Sequence, residues 1–258
     1  MPFHGKSLPR RAVQAALRPL GYKLVGLAGE ARREPVARRP PEGYSKLFCI
    51  GFNKTATSTI EAVLRGSGLR MPKQLEQESR LLGALDEGDY AALRAFCADY
   101  DAFQDLPFSQ GRTYVACDAL FPHARFVLTV RDEGAWADSY IRYYRREYGL
   151  EDVDRFDEAT FRDRNLYLRA GYVHRVLRPL LTEARAGEAV VRWDLAFDRD
   201  FLIHRYRERN AEIRSHFHRR PADLLELDPT READTARLLA FLGRDDIAPA
   251  PFPRVNAG

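Results

Sequence analysis

From residue 46 onward, short apolar runs of strand length alternate with longer segments of helical periodicity. Residues 46–52 (KLFCIGF) and 125–130 (RFVLTV) are nearly continuous apolar runs. That is the pattern of parallel strands buried on both faces. Residues 57–65 place Ile60, Val63 and Leu64 at helical spacing and stop before Gly66 and Gly68. Further helices are predicted at 89–99, 135–148, 158–184, 201–216 and 232–242, and short strands at 114–116 and 223–227. Strands alternating with helices predict an α/β fold of three layers, α/β/α, around a central parallel sheet. A chain of 258 residues can build one such domain with a sizeable core.

The first 45 residues follow another pattern. Residues 10–18 can form a short amphipathic helix with Val13, Ala16 and Leu17 on one side, ended by Pro19. Residues 30–44 are rich in Arg, Glu and Pro, including Pro35, Pro40 and Pro41, which reads as an exposed linker. The expected organisation is therefore a basic arm and linker over 1–45 and a domain over 46–258. Charge follows the same division. The first 46 residues carry +7 and the whole chain +4, so the remainder sums to −3. The sequence pI of about 9.0 belongs to the arm rather than to the body of the protein. No basic stripe interleaved with aromatics accompanies it, so nucleic acid is not an expected partner. Surface solvation is the expected use of the arm, with contact to an anionic membrane surface the weaker alternative.

No apolar stretch is long enough to span a membrane, and the first 20 residues lack the apolar centre of a signal peptide. Cys49, Cys97 and Cys117 lie in apolar segments, are odd in number and match no metal spacing. They read as buried free thiols in a reducing compartment, and a cytoplasmic location is expected.

The most informative stretch joins the first strand to the first helix: Gly51-Phe52-Asn53-Lys54-Thr55-Ala56-Thr57-Ser58-Thr59. A strand-to-helix turn aims unpaired backbone N–H groups at one point, and the helix dipole favours an anion there. Lys54 adds a full charge, while Thr55, Thr57 and Ser58 offer hydroxyls. This is not a Walker A sequence, because the lysine comes early and no Gly-Lys-Ser/Thr closes the loop. Read alone, the stretch could equally be a helix with a threonine cap. At the end of the second long strand, Arg131 can make charge-assisted bonds to a phosphate. Ser139 lies eight residues further, about two helical turns on. Read alone, Arg131-Asp132 also describes a structural ion pair.

The run from Phe48 to Ser58 resembles the 5′-phosphosulfate loop of sulfotransferases that use 3′-phosphoadenosine 5′-phosphosulfate (PAPS), whose bacterial members often read G-F-N-K-T-G-T-T-S there. The run from Phe121 to Asp132, followed by Trp136 and Ser139, resembles the family's 3′-phosphate region. The two motifs occur in the family's order, about 75 residues apart. The resemblance spans residues 46–256 and includes residues 206–210, 238–243 and 251–256 as weaker matches. It implies a P-loop-like sulfotransferase fold and the donor PAPS, with 3′-phosphoadenosine 5′-phosphate (PAP) as product. Cofactor contacts would come from Asn53, Lys54, Thr55, Ala56, Thr57, Ser58, Arg131 and Ser139, with Lys54 also catalytic. One position departs from the family: glycine is usual where this chain has Ala56, and a methyl group is costly there if φ is positive.

Sulfuryl transfer needs in-line geometry, neutralisation of the leaving group and a base for the acceptor proton. Asp105, in Phe103-Gln104-Asp105-Leu106-Pro107, is the first choice of base. Its place is similar to that of the base histidine in cytosolic members, and it reads otherwise as a turn cap before Pro107. Glu76 and Glu78 are the second choice, by likeness to carbohydrate sulfotransferases that use a Pro-Lys-Glu glutamate; this chain has Gln74 after Pro72-Lys73, and the two glutamates read otherwise as a solvated helix face. His123 is third and is expected at the wrong end of its strand. No cluster with metal spacing is present, so no metal is expected. The expected partner is a small-molecule or glycan acceptor, contacted by residues 74–85 and 140–161. The alternatives are a nucleotide-dependent kinase, which would need a Walker lysine and magnesium ligands, and a PAP-binding module without turnover.

Overall fold

A computed structural model of the chain describes residues 37–38, 40–164 and 171–253. In chain order its elements are β1 (Leu47–Cys49), α1 (Thr57–Gly66), α2 (Gln74–Asp86), α3 (Tyr90–Ala98), β2 (Ala102–Phe103), α4 (Thr113–Leu120), β3 (Arg125–Thr129) and α5 (Glu133–Tyr148). Then follow α6 (Glu158–Arg162), α7 (Tyr172–Leu181), β4 (Thr182–Arg185), β5 (Glu188–Val191), α8 (Arg199–Phe217), β6 (Leu224–Leu227) and α9 (Ala236–Leu242). The chain divides into two compact units, one taking in Arg33–Arg142 and Asp198–Gly258, the other Tyr143–Phe197. The expected helix at 10–18 and most of the expected linker at 30–44 lie outside the described residues.

The larger unit is built on a four-stranded sheet of order β2-β1-β3-β6 in which every pairing is parallel. Successive side chains of a strand point to opposite faces. Phe48, Ile50, Phe126 and Leu128 go to one face, where Leu93 and Phe96 of α3, Tyr114 and Cys117 of α4, and Ile213 and Phe217 of α8 cover them. Leu47, Cys49, Ala102, Val127 and Leu227 go to the other, against Ile60 and Leu64 of α1 and Leu238 and Leu242 of α9. Both faces are apolar, which is why the two long strands read as unbroken apolar runs. The expected three-layer α/β arrangement with a parallel sheet is the one observed. Cys49, Cys97 and Cys117 are free and buried, and burial pushes each thiol up from its ordinary pKa.

Three expectations change. Residues 114–116 are helical, within α4, rather than a strand; Tyr114 and Cys117 are the residues that α4 buries, at a spacing of one helical turn. Helix α2 was foreseen only as a solvated face for Glu76 and Glu78, yet its buried face includes Gln77 and Glu78 beside Leu81 and Leu82 and so lacks a clean apolar period. The single helix at 158–184 is replaced by α6, α7 and the first strand of a hairpin.

That hairpin belongs to the smaller unit. Strands β4 and β5 pair antiparallel from Thr182↔Val191 to Arg185↔Glu188. The two linking residues, Ala186 and Gly187, both have positive φ, as a tight two-residue hairpin requires. The sequence TEAR offers no apolar alternation to announce a strand. In the same unit α7 buries Val173, Val176, Leu177 and Leu180. His174 stacks on Trp193 at 4.7 Å, and Phe161 packs against Trp193 and Phe197.

Phe48 is the hub of the larger core. It is fully buried, and Phe103, Phe108, Phe121 and Phe126 lie with ring centroids 5.0, 5.2, 5.4 and 5.7 Å away. Truncating such a ring removes its transfer energy and leaves a cavity. Phe48→Ala is expected to lower the unfolding free energy by about 3–5 kcal/mol, read from urea denaturation; a loss under ~1 kcal/mol would mean that the ring cluster closes over the gap.

Candidate active site

Parallel pairing puts the carboxyl ends of β2, β1 and β3 side by side. The three segments singled out from sequence leave the sheet there: Gln104-Asp105 after β2, residues 50–57 after β1, and Val130-Arg131 after β3. In parallel α/β sheets this edge is where ligands bind. His123 sits at the opposite end of β3 from Arg131, in the turn before the strand, as expected for a residue outside the site.

The β1–α1 loop is forced into its path. A Cβ on Gly51 would lie 2.6 Å from Thr129 N, so only glycine lets the loop cross β3 this closely. Lys54 and Ala56 then take positive φ, 71° and 66°. Ala56 is the residue before α1, and no side chain caps that end. The reading of a threonine-capped helix therefore does not hold. Thr57 and Ser58 open α1. The Thr57 hydroxyl points to Asp105 Oδ2, 3.4 Å away. Thr55 departs from expectation: its side chain is fully buried, donating to Phe52 O and lying 2.6 Å from Thr129 Oγ1. Its hydroxyl holds the loop to the sheet, leaving only its backbone for an anion.

Asn53 also turns inward. Its Nδ2 donates to Asp105 Oδ1, its Oδ1 accepts from Ser109 Oγ at 3.1 Å, and its backbone carbonyl accepts from Trp136 Nε1 at 2.9 Å. The asparagine joins the loop to the Asp105 turn instead of reaching out for a ligand. Asp105 has positive φ, 61°, and its Oδ1 also accepts from Leu106 N at 2.8 Å. Burial raises its pKa to about 6, with Glu61 adding to the rise and the Leu106 N–H, Thr57 and Lys54 opposing it. Such a carboxylate is mostly ionised at neutral pH yet basic enough to take a proton.

The glutamates separate clearly. Glu76 is half exposed and bonded to Tyr100 and Arg80. Glu78 is buried and accepts from Gln74 Nε2 at 2.7 Å; the same nitrogen donates to Leu106 O at 3.1 Å. Glu78 is thus next to the Asp105 turn through Gln74, whereas Glu76 faces away from it.

Arg131 has its backbone fixed by Tyr206, whose hydroxyl accepts from Arg131 N at 2.9 Å and donates to Arg131 O at 3.2 Å. Asp132 is no ion-pair partner for Arg131. It caps α5, with its Oδ1 taking Ala135 N at 2.9 Å. Among the described residues no carboxylate pairs with the Arg131 guanidinium. Ser139 follows on α5, partly exposed.

Sequence reasoning missed Ser109, Thr129 and the role of Arg209. Arg209 is buried and donates to Gly111 O at 2.9 Å and Ile50 O at 2.7 Å, with the Phe52 ring 4.8 Å from its guanidinium carbon. A basic residue on a basic helix carries no sequence sign that it points inward. A groove of about 990 Å³ between α4 and α8, lined by Tyr114, Val115, Leu120 and Ala211, contains none of the loop residues.

A three-layer α/β fold around a parallel sheet, with a strand–loop–helix turn at its carboxyl edge, defines a P-loop-like α/β protein. The family model of the sulfotransferase domain matches residues 46–258, and the chain belongs to the sulfotransferase family. Membership supports, in general terms, an enzyme that transfers sulfate. No curated protein matches the chain. Among the described residues no group of three or more His, Cys, Asp and Glu could hold a metal ion, and no helix is long and apolar enough to cross a membrane.

The departure at Ala56 has a measurable consequence. An L-residue in the left-handed region costs about 1–2 kcal/mol, part of which glycine gives back through a more flexible unfolded chain. Ala56→Gly is expected to raise the unfolding free energy by about 0.5–1 kcal/mol. A lower urea midpoint in the variant would show that the methyl group packs well enough to outweigh its strain.

Proposed function

We propose that this protein transfers a sulfuryl group from PAPS to a hydroxyl or amine of a small-molecule or glycan acceptor. The observation that carries the reading is the uncapped start of α1, framed by left-handed Lys54 and Ala56, one strand away from Arg131. When bound, PAPS would supply the activated sulfuryl group, and PAP would leave.

Each residue then has a physical task. The N–H groups from Thr55 to Ser58 and the α1 dipole hold the 5′ phosphosulfate end. Lys54 neutralises the negative charge that grows on the leaving oxygen. Arg131 and Ser139 hold the 3′-phosphate, the group that separates PAPS from an ordinary nucleotide. Asn53 keeps Asp105 beside the loop, and Asp105 takes the acceptor proton. The fit is chemical: backbone donors, one lysine and one arginine suit a ligand with two separated anionic groups.

Binding tests the donor without knowledge of the acceptor. PAP is expected to raise the melting temperature with the logarithm of its concentration above Kd. Arg131→Ala is expected to weaken PAP binding by about 1.5–3 kcal/mol, the range for a charge-assisted bond. No thermal shift and no calorimetric heat at millimolar PAP would sink the reading.

Turnover tests the base, once a screen with labelled PAPS has supplied an acceptor. Asp105→Asn is expected to slow transfer about 100- to 10,000-fold while PAP affinity is kept. The base works as the carboxylate, so the parent rate should fall as pH drops through about 6, the raised pKa of Asp105. If Glu78→Gln abolishes turnover and Asp105→Asn does not, the base is Glu78.

A further inference from the structure

The two oxygens of Asp105 are not equivalent. Oδ1 accepts two N–H donors, Asn53 Nδ2 and Leu106 N, whereas Oδ2 faces only the Thr57 hydroxyl at a long 3.4 Å. This asymmetry depends on which end of the Asn53 amide faces Asp105. An amide is nearly symmetric in shape but opposite in polarity at its two ends. Turned over, Asn53 would set an oxygen against a carboxylate oxygen, an arrangement that favours a protonated carboxyl.

Ser109 sets that choice. It is fully buried, and its hydroxyl donates to Asn53 Oδ1 at 3.1 Å. Among the described residues that oxygen is the acceptor for the hydroxyl proton, and a buried hydroxyl without an acceptor is costly. Ser109 is itself anchored to the same turn, since its backbone N–H donates to Asp105 O at 3.0 Å. The far side of Asn53 is held by Trp136.

We propose that Ser109 is a positioning residue acting through Asn53: its hydroxyl locks the amide with Nδ2 toward Asp105 Oδ1, so that Oδ1 holds the carboxylate in place and Oδ2 receives the proton. The proposal rests on the reading of Asp105 as the base. The charged groups acting on Asp105 are Lys54 from the β1–α1 loop and Glu61 from α1. Helix α2 presents the amides of Gln74 and Gln77 to Leu106 O, with Glu78 reached through Gln74. Helix α8 bonds the turn through Arg209, whose contact there is the Phe108 carbonyl. None of these groups is altered by a change at Ser109.

The test reads the carboxyl directly. Protein labelled with carbon-13 at the aspartate carboxyls is titrated by NMR, and the Asp105 signal is assigned as the one lost in Asp105→Asn. Ser109→Ala should move the Asp105 midpoint upward by about one pH unit, because the amide is no longer held donor-first. PAP should still give its thermal shift, which separates this effect from unfolding. In turnover the acid limb should move up by the same amount, with kcat falling and the KM for PAPS little changed. Should Ser109→Ala fail to fold, Ser109→Cys, a weaker donor of similar size, should give a smaller shift in the same direction. An unchanged midpoint in the folded variant overturns the proposal. Full turnover in Asp105→Asn would instead overturn the reading of Asp105 as base, and the titration would tell the two failures apart.

Discussion

The buried guanidinium of Arg209 joins the two chain segments from which the candidate site is made. It reaches Ile50 O, just before the β1–α1 loop, and Gly111 O, just after the Asp105 turn, with Phe108 O at 3.5 Å. Its charge lies against the face of Phe52. Burial lowers its pKa to about 10, so it stays charged at neutral pH. A buried charge is tolerated only where donors find acceptors and a polarisable surface. Carbonyls and an aromatic face supply both here. The loop and the turn therefore share one anchor. Trp136 completes it from α5, packing against the Phe52 and Tyr206 rings and holding the Asn53 carbonyl.

Above that anchor, opposing influences meet at the Asp105 carboxyl. Burial raises its pKa; Leu106 N–H, Thr57 and Lys54 pull the other way. Lys54 favours the ionised form of this carboxyl, and Glu61 opposes it.

What could be read from the sequence divides along physical lines. Strands β1 and β3 were legible because both their faces are buried, which leaves an apolar run no helix of ordinary amphipathicity would show. The loop between β1 and α1 was legible as a strand-to-helix turn, because an apolar run gives way to hydroxyl residues and then to a helical period from Thr57. The place of Arg131 at a strand end was legible too. Elements whose burial is polar were hidden: α2 turns Gln77 and Glu78 inward, and β2 has two residues. The hairpin β4–β5 was hidden because its strands are charged and its turn begins with Ala186. Side-chain direction was the least legible feature. Asn53 and Thr55 belong to the loop, yet both point into the protein to hold it. Nothing in the order of residues separates a threonine that binds a ligand from one that ties a loop to Thr129.

The backbone at the site carries a cost that its surroundings make bearable. Lys54, Ala56 and Asp105 all have positive φ, and none is glycine. Such residues persist only where neighbouring contacts over-determine them. Here Thr55 is bonded on both sides, Asn53 is held at three atoms, and Gly51 lets the loop lie against Thr129. The strained residues alternate with the fixed ones. Fixed residues set the path, and burial follows the same alternation: Asn53 and Thr55 are buried, whereas Lys54 and Ala56 are partly exposed.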